Sequence, residues 1–233
     1  MVVRIFILII ITTSTSFTQE DSLSKLKFNF YKEIYYSYDF LNPANSEKPG
    51  FLYNHKKHNE VNINLILAKA SYSGTQIRSN LALMAGTYAQ YNLINEAEWA
   101  KFIFEANVGI KLRKGMWLDA GILPSHIGFE SAVSADCWTL TRSVLAENSP
   151  YFETGAKLSY SSDNEKIYLA ALVLNGWQNV QKPYSVSKLS TGVQITIKPT
   201  TKTTINYSNF FGTVSTDRSA RSRKFYLENQ SQN

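Results

Sequence analysis

The chain has 233 residues and a formal net charge of +6 at pH 7, and its one cysteine excludes an internal disulfide. Its length suits one domain, and no stretch with the composition of a linker divides it. The 14 tyrosines and 13 phenylalanines, set against 6 prolines, favour strands over helices.

The first 18 residues have the pattern of a secretory signal peptide. Arg4 supplies a positive charge, residues 5–11 form an unbroken apolar run, and small residues follow it. That run is much shorter than the about 20 apolar residues that a membrane-spanning helix needs, which disfavours a helical anchor. We therefore expect residues 1–18 to be a signal peptide and residues 19–233 to form the exported domain.

Residues 28–40 give the clearest strand pattern, with apolar and aromatic side chains at even positions and polar ones concentrated at odd positions. In the second strand, the same period places Val61, Ile63, Leu65 and Leu67 on one apolar face. The alternation continues in residues 60–72, 76–87, 100–112, 116–122, 152–160 and 189–197. Residues 167–174 predict a strand that is apolar on both sides, and residues 203–211 predict a weaker strand. A partial tenth strand is expected at residues 225–227.

Short and long connections alternate between these strands. The short turns are residues 73–75, 113–115, 161–166 and 199–202, and the long connections are residues 41–59, 90–99, 123–150, 175–188 and 212–223. A transmembrane barrel has this order, with tight periplasmic turns and longer outer loops. A water-soluble sandwich or lipocalin-like barrel is the alternative, because both have a period of two. We predict an all-β fold, an antiparallel transmembrane β-barrel of outer-membrane type with nine strands and a partial tenth.

Two segments resemble a known family: G-I-L-P-S-H-I-G-F-E-S-A at residues 121–132 and T-L-T-R-S-V-L-A-E-N-S-P-Y-F-E-T-G-A-K-L-S-Y at residues 139–160. They are similar to the putative β-barrel porin-2 (OmpL-like) family of Bacteroidota, as are Y-Y-S-Y-D-F and N-E-V-N-I-N-L near the start. This resemblance covers residues 28–227 and implies a passive pore in the outer membrane of a Gram-negative bacterium. Members are usually longer, and outer-membrane barrels typically end in an amphipathic strand with a terminal aromatic residue, whereas this chain ends in N-Q-S-Q-N. We therefore expect a barrel that is incomplete at its C-terminal end, either because the sequence is a fragment or a frameshifted copy, or because a partner closes the ring.

Charged residues of both signs fall on the predicted inner faces. The pore-lining candidates are Arg78, Lys101, Glu105, Lys111, Asp119, Glu153 and Lys157. A strongly selective channel tends to carry a ring of one sign, so the mixed set predicts weakly selective diffusion of small polar solutes.

The long connection at residues 123–150 supplies constriction candidates if it folds into the pore. These candidates are His126, Glu130, Asp136 and Arg142. An outward loop with solvated charges fits the sequence equally well, so the direction of this loop stays open at this stage. A non-conducting structural or adhesive barrel is the alternative function.

An outer-membrane enzyme is disfavoured. Ser125 and His126 are adjacent and would point to opposite faces of an extended chain, and the sequence contains no G-x-S-x-G. His55 and His58 have usable spacing for a metal but stand among lysines without a carboxylate or thiolate partner. We expect no catalytic residue, no metal and no cofactor.

Lipid and lipopolysaccharide are the expected partners, besides the small polar solutes. Basic residues in the predicted outer loops could contact lipopolysaccharide phosphates, namely Lys56, Lys57, Arg218, Arg221, Arg223 and Lys224. Nucleic acid is not expected as a partner of an exported barrel. A homo-oligomer is left open by the sequence.

Overall fold

The computed structural model describes residues 25–137, 142–182, 184, 188–212 and 230–231. The predicted signal peptide at residues 1–18 and the predicted strand at residues 225–227 lie outside these described residues.

One antiparallel sheet forms the fold, and each strand pairs with the next strand in the sequence. The strands are β1 (Leu26–Tyr36), β2 (Val61–Ser73), β3 (Ile77–Ala85), β4 (Ile103–Arg113), β5 (Met116–Pro124), β6 (Phe152–Ser161), β7 (Ile167–Leu174), β8 (Ser190–Ile197), β9 (Ile205–Phe211) and β10 (Gln230–Ser231). Short helices α1 (Thr87–Asn92) and α2 (Val144–Glu147) lie in connections, as do single 3-10 turns at Glu98–Phe102 and Ser134–Asp136. This order confirms the all-β, antiparallel prediction.

Short and long connections alternate as predicted. Short turns at residues 74–76, 114–115, 162–166 and 198–204 lie at one end of the sheet. Long connections, at residues 37–60, 86–102, 125–151 and 175–189, begin and end at the other end of the sheet. Among the described helices, none is both long and apolar enough to span a membrane.

Apolar side chains cover the outer face of the sheet. Phe28 and Phe30 of β1 expose 65% and 81% of their surface, and Leu81, Val108 and Val173 are also exposed on this face. Such a band of exposed apolar side chains, with polar residues on the opposite face, is the pattern of a barrel wall that faces lipid.

A β-bulge at Asn64 changes the face that β2 presents. The register of β1 and β2 shifts between Glu33 and Ile34, so that Glu33 pairs with Leu65 but Ile34 pairs with Ile63. Ile63 is therefore exposed on the outer face, whereas Leu65 and Leu67 are buried on the inner face. The prediction of one apolar face from Val61 to Leu67 was wrong, because the extra residue of a bulge reverses the alternation after it.

Candidate functional site: the inner face and the loop that lies against it

A row of directly paired residues crosses the inner face from β3 to β6. Arg78 pairs with Gly109, Gly109 with Asp119, and Asp119 with Lys157. Arg78 donates two hydrogen bonds to the Asp119 carboxylate, with Nε–Oδ1 and Nη2–Oδ2 distances of 2.7 and 2.6 Å. Its guanidinium also lies 4.4 Å from the centre of the Trp117 ring. Arg78 reaches Asp119 across β4 because Gly109, which stands between them, has no side chain.

We expect Gly109→Ala to destabilise the protein by about 1–3 kcal/mol, the usual cost of adding atoms to a filled site. A Cβ at Gly109 would overlap the Asp119 carboxylate and lie 3.0 Å from Arg78 Cγ. Urea unfolding of the detergent-refolded protein measures the effect. Gly50→Ala is the matched control, because nothing lies within 4 Å of a Cβ built there. Equal stability of the two variants would contradict this account.

Other inward charges are also close to opposite charges. Lys69 lies 2.5 Å from the Glu105 carboxylate, which is almost fully buried and also accepts a hydrogen bond of 2.9 Å from Asn107. The Lys157 ammonium is attracted by the carboxylates of Asp119, Glu105 and Glu153 around it. The structure therefore brings most of the predicted wall residues together into one network of both signs.

Lys101 is placed differently from the prediction. Strand β4 begins at Ile103, and Lys101 lies before it in the 3-10 turn Glu98–Phe102. Its ammonium binds the exposed carboxylate of Glu98 at 2.6 Å. Lys101 is thus at the long-loop end and does not take part in the inward network. Lys111 lies near the opposite end of β4, where it pairs with Trp117 of β5.

The described residues of the connection 125–151, namely 125–137 and 142–151, lie against the inner face and are called the inner loop below. His126 Nδ1 is 2.6 Å from Glu153 Oε2 of β6, and His126 Nε2 is 2.7 Å from the Asn209 carbonyl of β9. The side chains of His126 and Glu153 expose 1% and 0% of their surface. These contacts decide between the two directions that the sequence left open, because an outward loop could not reach Asn209.

The environment of His126 favours the imidazolium form. Both ring nitrogens face oxygen acceptors, so each must carry a proton to donate. Burial lowers the pKa of His126, but the hydrogen bond to Glu153 and the charge of that carboxylate outweigh burial, and the pKa is raised. His126 and Glu153 therefore form a buried ion pair.

The other side of the inner loop contacts β1. The Glu33 carboxylate accepts a hydrogen bond from the Ser134 hydroxyl, and its Oε2 accepts one of 2.6 Å from the Asn64 amide. His55 Nε2 lies 3.1 Å from Glu33 Oε1, which brings the connection at residues 37–60 into the same buried group. Arg142 donates to Ser134 Oγ at 2.7 Å. Sequence reasoning did not select Glu33 as a site residue, because no spacing indicates partners so distant in the chain.

The constriction candidates separate into two groups. Arg142 is buried and donates a hydrogen bond to the Ser131 carbonyl at 2.6 Å, so it stabilises the fold of the inner loop itself. His126, near the start of the loop, is also buried and holds the loop to the sheet. Glu130 and Asp136 instead line a cavity of about 670 Å³ between the inner loop and strands β1, β2 and β4. Lys69 and Glu105 line the same cavity, together with Tyr31, Phe104 and Tyr151.

A second long connection, residues 37–60, packs on the inner loop at the mouth. Glu147 of α2 accepts hydrogen bonds from the backbone amides of Tyr53 and Asn54 at 2.7 and 3.2 Å. Its Oε1 accepts another from Asn54 Nδ2 at 3.0 Å. Apolar residues, including Tyr88 of α1 and Leu65, fill the space beneath these loops. Over the part of the chain that the structure describes, no three His, Cys, Asp or Glu side chains are placed to hold a metal ion.

An antiparallel meander that is apolar outside and charged inside, with a long loop folded against its inner wall, defines a porin-type β-barrel. The chain belongs to the family described as Putative beta-barrel porin-2, OmpL-like, whose model matches residues 25–231. This match confirms the resemblance and the β-barrel fold class that the sequence predicted. Comparisons with curated proteins and with solved structures gave no significant match.

Proposed function

We propose that the protein is an outer-membrane pore, without enzymatic activity, for passive and weakly selective diffusion of small polar solutes. The observation that carries this proposal is the network of ion pairs on the inner face of a sheet whose outer face is apolar. Lipid is the proposed partner of that outer face, where Phe28 and Phe30 are exposed.

The solute pathway proposed here passes the inner loop through the cavity lined by Glu130 and Asp136. Its volume of about 670 Å³ lies in the range of about 300–1,000 Å³ that suits small ligands. The cavity is lined both by aromatic rings and by the Lys69–Glu105 ion pair, a combination that suits polar solutes with some apolar surface. The inner loop narrows the pathway without a ring of one charge.

Weak selectivity follows from how the inward charges are arranged. Arg78 with Asp119 and Lys69 with Glu105 present paired charges of opposite sign to a passing ion. A selective channel would need unpaired charge of one sign along its pathway.

Lipopolysaccharide is a second proposed partner, through basic residues of the long loops. Lys56 is buried and donates to the Pro49 carbonyl at 2.7 Å, and Lys57 binds Glu47 at 3.1 Å. Both lysines therefore already have acceptors within their own loop. The arginines proposed for the same role, at residues 218, 221 and 223, lie outside the described residues, as does Lys224.

A non-conducting structural barrel is the second candidate. The observation that favours it is the packing of residues 37–60 on the inner loop through Glu147, which covers part of the mouth. Conductance measurements on the detergent-refolded chain in planar bilayers separate the two functions. Stepwise increases in current support the pore, and an absence of current from folded protein supports the structural barrel.

Changing one member of the Arg78–Asp119 pair should shift ion selectivity. Arg78→Gln leaves Asp119 without its guanidinium partner and should raise the ratio of cation to anion permeability severalfold, whereas Asp119→Asn should lower it. The double variant should have a ratio of cation to anion permeability close to that of the parent. Reversal potentials in a salt gradient give these ratios.

Lys114 and Asp163 provide a matched control, because they form an exposed ion pair of 2.6 Å at the short-turn end. Lys114→Gln and Asp163→Asn make the same charge changes away from the proposed pathway. Equal shifts from both pairs of variants would count against a pathway along Arg78 and Asp119.

A further inference from the structure

We infer that the inner loop is a non-covalent bridge that ties β9 to β1 across the interior, with His126 and Ser134 as its two positioning residues. This inference deepens the proposed pore, because the position of the bridge sets the width of the pathway. It also concerns the architecture itself and can be tested when no current flows.

At the β9 end, the backbone of β9 is adapted to receive His126. Asn209 pairs with Val193 of β8, and the Asn209 side-chain Oδ1 accepts a hydrogen bond of 3.1 Å from the Val193 amide. The Asn209 carbonyl accepts instead from His126 Nε2 at 2.7 Å. A side chain thus supplies the acceptor within the ladder, while the main-chain carbonyl serves the loop.

Gly192 of β8 leaves the space that the His126 ring occupies. A Cβ built on Gly192 would overlap Nε2 of that ring and lie 2.6 Å from its Cε1. The next residue of the loop, Ile127, is buried in a cluster with Leu172 of β7 and Phe210 of β9. The β9 end therefore combines the hydrogen bond of His126 to the Asn209 carbonyl, a fitted ring and an apolar contact, while the ion pair with Glu153 holds the same ring to β6.

At the β1 end, the same loop makes a second set of contacts. Ser134 donates to Glu33 of β1, and the Arg142 guanidinium holds the Ser134 hydroxyl at 2.7 Å. Ala132 and Val133 pack in the apolar cluster that contains Leu65 and Leu67 of β2. Because Ala132 and Ile127 lie in separate clusters, the loop makes apolar contacts on both sides of the interior.

This bridge spans two strands that do not pair with each other. Over the described ranges, β1 pairs with β2 alone, and β9 pairs with β8 and with the two residues of β10. Unpaired strand edges are costly in lipid, since each unsatisfied backbone group costs several kcal/mol. Contacts that hold β1 and β9 at a fixed separation would therefore fix the curvature of the sheet between them.

The test measures the separation of β1 and β9 in the full, refolded chain. Spin labels are placed at the exposed positions Lys32→Cys of β1 and Ile205→Cys of β9, in a Cys137→Ser background that removes the one native thiol. Double electron–electron resonance then gives the distance distribution in lipid bilayers. The parent should show one narrow distribution.

Gly192→Ala and Ser134→Ala release opposite ends of the bridge. Each should broaden the distribution and lengthen its mean by several ångströms while the strand content by circular dichroism is unchanged. Ser134→Thr keeps the hydroxyl and should restore the narrow distribution, and Gly50→Ala should leave it unaltered.

An unchanged distribution in both release variants would overturn the inference. Ser134→Ala is a mild change that keeps the test valid if Gly192→Ala does not refold. Absence of channel current in the parent would count against the proposed pore, but it would not alter the distance result.

Discussion

Glu153→Leu is expected to lower the free energy of unfolding by about 3–5 kcal/mol in mildly acidic buffer, the usual cost of removing one partner of a buried ion pair. The substitution leaves His126 buried, with its Nδ1 and backbone amide both deprived of the Glu153 oxygen that they now contact. Urea titration of the refolded protein, followed by tryptophan fluorescence, measures the loss.

The loss of unfolding free energy in Glu153→Leu should decrease as pH rises. The folded pKa of His126 is raised above its ordinary value of 6.5, so the stabilisation is fully present below that value and is lost as pH rises through the folded pKa. The difference between the parent and Glu153→Leu should therefore shrink as pH rises. Glu153→Gln keeps an oxygen acceptor and should cost less at every pH. A loss that grows with pH would contradict the imidazolium assignment.

Glu147→Ala should destabilise the mouth by about 3 kcal/mol or more, because three donors lose their acceptor and each buried donor left without one costs about 1–3 kcal/mol. The donors are the amides of Tyr53 and Asn54 and the Asn54 side chain, and Glu147 itself is 5% exposed. Hydrogen exchange at Tyr53 and Asn54 should accelerate, and protease cleavage within residues 37–60 should increase.

Glu98→Ala is the control for this change, because Glu98 is exposed at the same end of the barrel. It should leave exchange at Tyr53 and Asn54 unchanged. If Glu147→Ala also leaves exchange unchanged, the packing of the two loops does not depend on this carboxylate. Channel current that appears only in Glu147→Ala would show that the mouth is closed in the parent.

The inner and outer faces of most strands were predictable from residue type alone. In β4, Val108 and Ile110 point outward while Glu105 points inward, as the period of two requires. The alternation of short and long connections also follows from the sequence, because the strand pattern stops and resumes at residues that can be read from it. Lys101 was misplaced because residues 98–102 form a 3-10 turn that a strand period does not reveal.

Contacts between distant residues were beyond the sequence. His126 meets an acceptor 83 residues further along the chain, and Glu147 meets donors 93 and 94 residues before it. A pattern of neighbouring residues in the sequence cannot predict such partners, because they depend on how the sheet curves and on where each loop leaves it.

The sequence by itself determined an antiparallel all-β wall with an apolar outside, charged residues inside and long loops at one end. Only the tertiary structure decided that the inner loop (residues 125–137 and 142–151) lies against the inner face and that the side chains of Leu65 and Leu67 point inward. The physical reason is that strand alternation is a local property of the backbone. The bulge at Asn64 and the fit of His126 over Gly192 instead depend on register and curvature across the whole sheet.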